Sequence, residues 1–319
     1  MNHRKFWCWT IGIILGAGGM LLEIPAQNPK FGERVDRGLI EHKPIKEASG
    51  LAASRKNSQV LWTHNDSGGK NCVYALDTHG KHLGVYTIAG VTARDWEDIA
   101  LGPGPIAGQD YLYIGDLGDN SARQSLKYIH RIPEPVVSAK QAPVDSTLSG
   151  AETITVQYPD RPHDAETLMI DPLTNDLYIV SKQDTVSLVY RAAYPQATTE
   201  TIKLEHVATL AFGGAVAGDI SPAGDGILIK TYVMIYYWPR GKNENVWDAL
   251  AKPPATMPYI LEPQGEAVAW QAQGNGYYTL SESFRGLPVR LYFYPRHDGQ
   301  TRSTKRMEKP APTSTPSNK

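Results

Sequence analysis

Arg94-Asp95-Trp96-Glu97-Asp98-Ile99-Ala100 is followed by Asp110-Tyr111-Leu112-Tyr113-Ile114-Gly115-Asp116-Leu117-Gly118-Asp119-Asn120. An acidic cluster opens a short apolar strand. Gly102-Pro103-Gly104-Pro105 turns the chain, and Tyr111 to Ile114 runs back into a second acidic, glycine-rich loop. The hairpin therefore returns Asp116 and Asp119 to the edge at which Glu97 begins. Carboxylates gathered at one end of a hairpin invite a cation.

The same unit recurs along the chain. Glu47-Ala48-Ser49-Gly50-Leu51 leads to Val60-Leu61-Trp62-Thr63-His64-Asn65-Asp66. His163-Asp164-Ala165-Glu166 leads to Leu177-Tyr178-Ile179-Val180-Ser181-Lys182. Ala217-Gly218-Asp219-Ile220-Ser221 leads to Ile227-Leu228-Ile229-Lys230, and Gly265-Glu266-Ala267-Val268 to Tyr277-Tyr278-Thr279-Leu280-Ser281-Glu282. From Glu47 the starts fall at Glu97, Glu166, Asp219 and Glu266, spacings of 50, 69, 53 and 47 residues. The longest gap holds an extra strand, Glu152 to Tyr158, read as the outermost strand of the second unit. A period near fifty residues with three or four short strands per unit is that of propeller blades, whose ring closure buries both faces of every small sheet and removes exposed edges. The expectation is an all-β, five-bladed propeller, with a six-bladed ring as the alternative. Arg37-Gly38-Leu39-Ile40-Glu41-His42 is read as the strand that completes the last blade, or as part of a sixth.

Composition agrees. Gly (29) and Pro (23) are frequent, Tyr (17) outnumbers Phe (5), and long amphipathic patterns are absent. A formal net charge of −1 gives no electrostatic footprint for nucleic acid. Basic Met1 to Lys5, the uncharged run Phe6 to Leu22 and Ile24-Pro25-Ala26 read as a secretory signal over residues 1–26, or as an uncleaved N-terminal membrane anchor; either makes the protein extracytoplasmic. The propeller is placed at 34–297 and a disordered, basic Pro/Ser/Thr-rich tail at 298–319. Outside the first segment Cys72 is the single cysteine, so neither an intrachain disulfide nor a cysteine metal site is available. A monomer is expected.

In a propeller, the start of each innermost strand and the end of the next strand share one face. The starts carry Glu47 or Ser49, Glu97, Glu166, Asp219 or Ser221, and Glu266. The second-strand ends carry His64, Asn65 and Asp66; Asp116 and Asp119; Lys182; Lys230 and Tyr232; Glu282 and Arg285. Carboxylates around one axis repel each other unless protonated, paired or bridged by a hard cation. Oxygen donors without Cys or clustered His favour Ca²⁺ over Zn²⁺. The competing reading is that each acid bonds to backbone amides of the neighbouring blade and fastens the ring. On the cation reading Asp66, Asp116 and Glu282 are catalytic candidates, and His64, Asn65, Lys182, Lys230 and Arg285 are ligand-binding candidates for an anionic small molecule, or for an envelope polymer or protein. No nucleophile elbow, HExxH, P-loop or GxGxxG is present in the sequence.

Two resemblances rest on these strings. Glu47 to Leu51, Thr63-His64-Asn65-Asp66-Ser67-Gly68, Asp95 to Ala100 and Tyr113 to Asn120 are similar to an uncharacterised family of bacterial exported β-propeller proteins, over roughly residues 45 to 295. The acidic strand starts more distantly resemble the five-bladed calcium-activated nucleotidases (apyrases). That resemblance implies a central Ca²⁺ held by Ser49, Glu97, Glu166, Ser221 (or Asp219) and Glu266. His64 to Gly68 looks like the apyrase Asp-Asp-Arg-Thr-Gly loop with Asp66 kept and the arginine absent. The expected function is a Ca²⁺-dependent hydrolase of phosphorylated or other anionic substrates. The alternative is a non-catalytic envelope-binding scaffold with a structural Ca²⁺.

Overall fold

Each apolar run of the repeat is a strand in a computed structural model of the chain, which describes residues 30–66, 68–182 and 185–297. The proposed signal and tail lie outside the described residues. Five sheets follow one another around an axis. After β1 (Val35–Leu39), the first blade comprises β2 (Ala48–Ala53), β3 (Val60–Asn65), β4 (Cys72–Asp77) and β5 (His82–Ile88). The second comprises β6 (Trp96–Pro103), β7 (Asp110–Asp116) and β8 (Lys127–Pro133). The chain then sends β9 (Val144–Leu148) back to the first blade before adding β10 (Glu152–Gln157) to the second. The third holds β11 (Ala165–Ile170), β12 (Leu177–Ser181) and β13 (Ser187–Ala192), gives β14 (Thr201–Lys203) to the second blade, and ends with β15 (Glu205–Leu210). The fourth is β16 (Ala215–Ile220), β17 (Gly226–Thr231) and β18 (Ile235–Pro239), then the short helix α1 (Val246–Leu250) and β19 (Ala255–Thr256). The fifth is β20 (Ala267–Trp270), β21 (Gly276–Leu280) and β22 (Arg290–Pro295), completed by β1 on its outer edge.

Ring closure is therefore as expected, with β1 antiparallel to β22 and Val35 opposite Phe293. Five blades, not six, make the ring, and the inner strands β2, β6, β11, β16 and β20 touch their neighbours in a closed circle. Glu152 to Gln157 does belong to the second unit, but β14 pairs in parallel beyond it, so it is not outermost. Among the described residues no helix is long and apolar enough to cross a membrane.

The ring explains why the strands read as unbroken apolar runs rather than alternating ones. Successive side chains point to opposite faces, and each blade faces a neighbour on both sides. On β7, Tyr111 and Tyr113 enter the core between blades two and three, while Leu112 and Ile114 enter that between blades one and two. Three further clusters fill the other junctions. Polar clamps cross the same junctions. Asp98 accepts Ile99 N–H at 2.8 Å and, from the next blade, Leu168 N–H at 2.9 Å. Asp219 accepts Trp270 N–H at 2.8 Å. Arg240 and Asp171 form a buried two-pronged pair, both bonds 2.8 Å, between blades four and three.

Candidate metal centre

A backbone bond repeats in four blades. A residue one or two places beyond the second strand donates its N–H to a residue shortly before the first: Asp66 to Glu47 at 2.8 Å, Gly118 to Asp95 at 3.2 Å, Lys182 to Asp164 at 2.9 Å, and Glu282 to Gln264 at 2.9 Å. This bond closes each blade at one end of the ring and puts those residues at its mouth. The register then slips at the start of four inner strands, between Ala48 and Leu51, Trp96 and Asp98, Ala165 and Thr167, and Ala215 and Ala217. The extra residue of such a bulge is aimed differently from its strand. These residues are Ser49 with Gly50, Glu97, Glu166 and Val216; in the fifth blade Glu266 directly precedes β20.

Three carboxylates meet at this mouth. Ligand oxygens of Asp66, Asp95 and Glu97 lie within 4.8 Å of one another. Two oxygens bound to one Ca²⁺ at about 2.4 Å are at most about 4.8 Å apart, so the spacing fits a shared ion. Space for it depends on Gly118, because a Cβ there would collide with Glu97 Oε1 and Asp95 Oδ2. Glu97 is 3% exposed. Burial first, and then Glu166, Asp66 and Asp95, push its carboxyl up to about 11, with Lys182 pulling weakly the other way.

The other half of the mouth is a chain of paired groups. Lys182 forms an ion pair with Glu166 and donates to Tyr232 Oη at 3.2 Å; Tyr232 in turn donates to Glu266. Glu282 lies against Glu266 and Asp66. Burial outweighs the lysine, and with Glu266 and Asp164 it raises Glu166 to about 8. Burial and Glu266 raise Glu282 likewise to about 8. Glu166 Oε2 and Asp164 Oδ2 are buried without a hydrogen-bond partner among the described residues. Such oxygens are costly unless a donor or ion meets them.

Several expected site residues take other places. Ser221 lies at the opposite end of β16, where its Oγ donates to Asp225 at 2.6 Å within the turn to β17. Asp219 is the buried interblade clamp already described. The residue of blade four that matches Glu97 is the apolar Val216, because counting along the chain does not register the bulge. Ser49 sits at its bulge, but its Oγ donates to the Glu97 carbonyl at 2.5 Å. Asp116 is held by Arg94 Nε at 3.2 Å and the Asp95 amide at 3.1 Å, so it positions Asp95 and is not a free catalyst. Asp119 binds the amides of Arg123 and Gln124 at 3.0 and 2.6 Å and closes its own loop.

The anion-binding candidates are each engaged within the protein. Lys182 is spent on Glu166. Lys230 is buried, donating to the carbonyls of Thr231 and Gly265, and burial lowers it to about 8. Arg285 lies over Phe284 at 5.1 Å in a turn, at φ 51°. His64 is fully buried beside Gly50, and burial lowers it to about 4. Asn65 clasps the chain before β2, accepting Lys46 and Glu47 amides at 3.1 and 3.2 Å and donating to Pro44 at 2.9 Å.

The residue missed in the sequence is Asp95. Its signal is Asp95-x-Glu97, which recurs as Glu47-x-Ser49, Asp164-x-Glu166 and Gln264-x-Glu266, and as Gly214-x-Val216 in blade four. Gly118→Ala is expected to weaken cation binding at least about tenfold while leaving the melting temperature of cation-free protein within a few degrees. Titration calorimetry with Ca²⁺ reads the first quantity and thermal unfolding the second.

No family of known proteins matches the chain, and no curated protein does. Solved structures do. A nidogen/laminin complex is similar at 13% identity and a TM-score of 0.46, over 76% of this chain and 74% of that one. A luciferin-regenerating enzyme is similar at 12% identity and a TM-score of 0.41, over 84% and 95% respectively. Both concern the fold alone.

Proposed function

We propose that the acidic mouth binds one Ca²⁺ and that the protein is a Ca²⁺-dependent hydrolase of phosphorylated or other anionic substrates. The observation that carries the reading is the meeting of Asp66, Asp95 and Glu97 within the span of one ion, in the space left by Gly118. Those three residues would hold the cation, with Glu166 Oε2 beside them. Bound there, Ca²⁺ would offset the mutual repulsion and act as a Lewis acid toward a substrate oxyanion. Glu282 stands at the mouth, half-buried; a bound cation nearby would favour its carboxylate form, which would accept a proton from an attacking water. Export would carry the site to millimolar Ca²⁺, the range in which extracellular modules are tuned.

The engagement of Lys182 by Glu166 and of Lys230 by the Thr231 and Gly265 carbonyls favours a second reading, a non-catalytic envelope-binding propeller with a structural ion. Purified protein assayed for phosphate release from nucleoside di- and triphosphates, with Ca²⁺ and then with chelator, separates the two. Ca²⁺-dependent release is expected on the first reading. Stabilisation by Ca²⁺ without release would support the second. At a hundredfold excess over Kd, binding should stabilise the fold by about 2.7 kcal/mol, and an unchanged melting temperature would remove the ion from both.

A further inference from the structure

Beside the acidic mouth runs a groove of about 370 Å³, with Glu282 in its wall. Twelve large apolar residues are exposed among the described residues, and four of them, Ile260, Leu261, Phe284 and Leu287, stand on the two loops that flank it. Their concentration here departs from the single, scattered exposure usual on protein surfaces. The loops hold this shape by their own hydrogen bonds. Glu282 N–H binds the Gln264 carbonyl at 2.9 Å, Ser283 N–H binds Lys46 O at 2.6 Å, and the turn is closed by Ser283 Oγ donating to Leu287 O and Leu287 N–H donating to Phe284 O, at 2.9 Å each. Pro263 and Pro288 stiffen the same two segments. The apolar surface is thus preformed and continuous with the mouth through Glu282.

We infer that this groove takes the alkyl or acyl chain of an amphiphilic oxyanion whose charged head sits on the axial cation. The inference rests on the cation reading above and names the substrate class for it. Leu261, Leu287 and Phe284 would contact the chain. Arg34 and Arg290 line the far side; Arg34 stacks on Tyr292 at 4.1 Å and Arg290 is paired with Asp36 at 2.9 Å. A free alkyl phosphate and a phospholipid headgroup share this chemistry.

Titration calorimetry of n-alkyl phosphates, ethyl to hexyl, in saturating Ca²⁺ tests the inference. Affinity should rise roughly fourfold per methylene, about a hundredfold or more across the series. Leu287→Asp should cut hexyl phosphate binding at least about tenfold, leaving ethyl phosphate and Ca²⁺ binding unchanged. Leu261→Ser, at a second exposed position, should act in the same direction. Sedimentation with phosphatidic acid vesicles, with and without Ca²⁺, assigns the lipid source if the protein co-sediments and the free source if it does not. If Ca²⁺ gives no binding heat, the mouth reading fails. If Ca²⁺ binds but affinity is flat with chain length, or neither variant changes it, the groove assignment is overturned.

Discussion

Lys182→Met should destabilise the cation-free protein by about 2–3 kcal/mol at pH 8, and Glu166→Gln in the same chain should restore most of that. Glu166 is 4% exposed and Lys182 is its paired cation. Removing one partner of a buried pair typically costs 3–5 kcal/mol, because the other charge is stranded. The lower figure applies because the Lys182 side chain is 20% exposed and solvent already shares its charge. A stranded carboxylate can also escape by taking a proton, so the loss should be smaller at pH 6 than at pH 8. Thermal or urea unfolding of the two variants checks this. An equal loss in the double variant would show that lysine packing, not charge, was removed. The same substitution leaves the mouth more negative, and Ca²⁺ should bind the single variant more tightly than the parent.

Cation-free protein should lose stability from pH 7 to pH 8, and saturating Ca²⁺ should abolish the decline. Glu97 is raised to about 11, and Glu166 and Glu282 each to about 8. Unfolded, each would release its proton near the ordinary carboxylate value of about 4.5. Between that value and the folded one, the native chain holds protons that the unfolded chain has lost, so raising the pH favours unfolding. One fully developed group contributes at most about 1.4 kcal/mol per pH unit. Glu97 alone therefore accounts for up to about 1.4 kcal/mol over that unit; Glu282, half-buried, adds less. His64 acts in the opposite sense. Burial lowers it to about 4, so its stability contribution is gained as pH rises toward about 6.5 and is complete above that. Lys230 also acts in the opposite sense: burial lowers it to about 8, so its contribution is gained as pH rises above about 8. The clean window is thus pH 7 to pH 8. Melting curves at pH 7, 7.5 and 8 with chelator and with Ca²⁺ give the measurement, and a cation-free melting temperature that rises across this range would refute the assignment of buried protons to the mouth.

The five blades were legible because each one repeats the same grammar of polar start, apolar run, turn and apolar run, and because the ring forces both faces of each strand to be apolar. Ring closure by the first strand was legible for the same reason. The strands exchanged between blades were not. β14 is three residues long and largely exposed, and it pairs in parallel with a strand of the preceding blade, so no local period announces it. At the mouth, Glu97, Glu166 and Glu266 could be selected as acids at strand starts. Asp219 and Ser221 were selected by spacing, and a single bulged residue put Val216 in their place. Asp116 and Asn65 show a different limit: a side chain that collects backbone donors and one that awaits a ligand have the same letters. Gly118 carries no functional group, yet it opens the space between Asp95 and Glu97.

The exchange of β9 and β14 has a consequence for how the molecule comes apart. Each is an outer strand of one blade supplied by the chain of the next. Blade one lacks its edge until the segment following β8 has been made, and blade two lacks its edge until the chain has passed β13 of the third blade. β1 waits for β22 in the same way. Like a belt threaded through its own loops, the ring cannot release one blade without exposing an unpaired edge on another, which couples the opening of any sector to that of its neighbours.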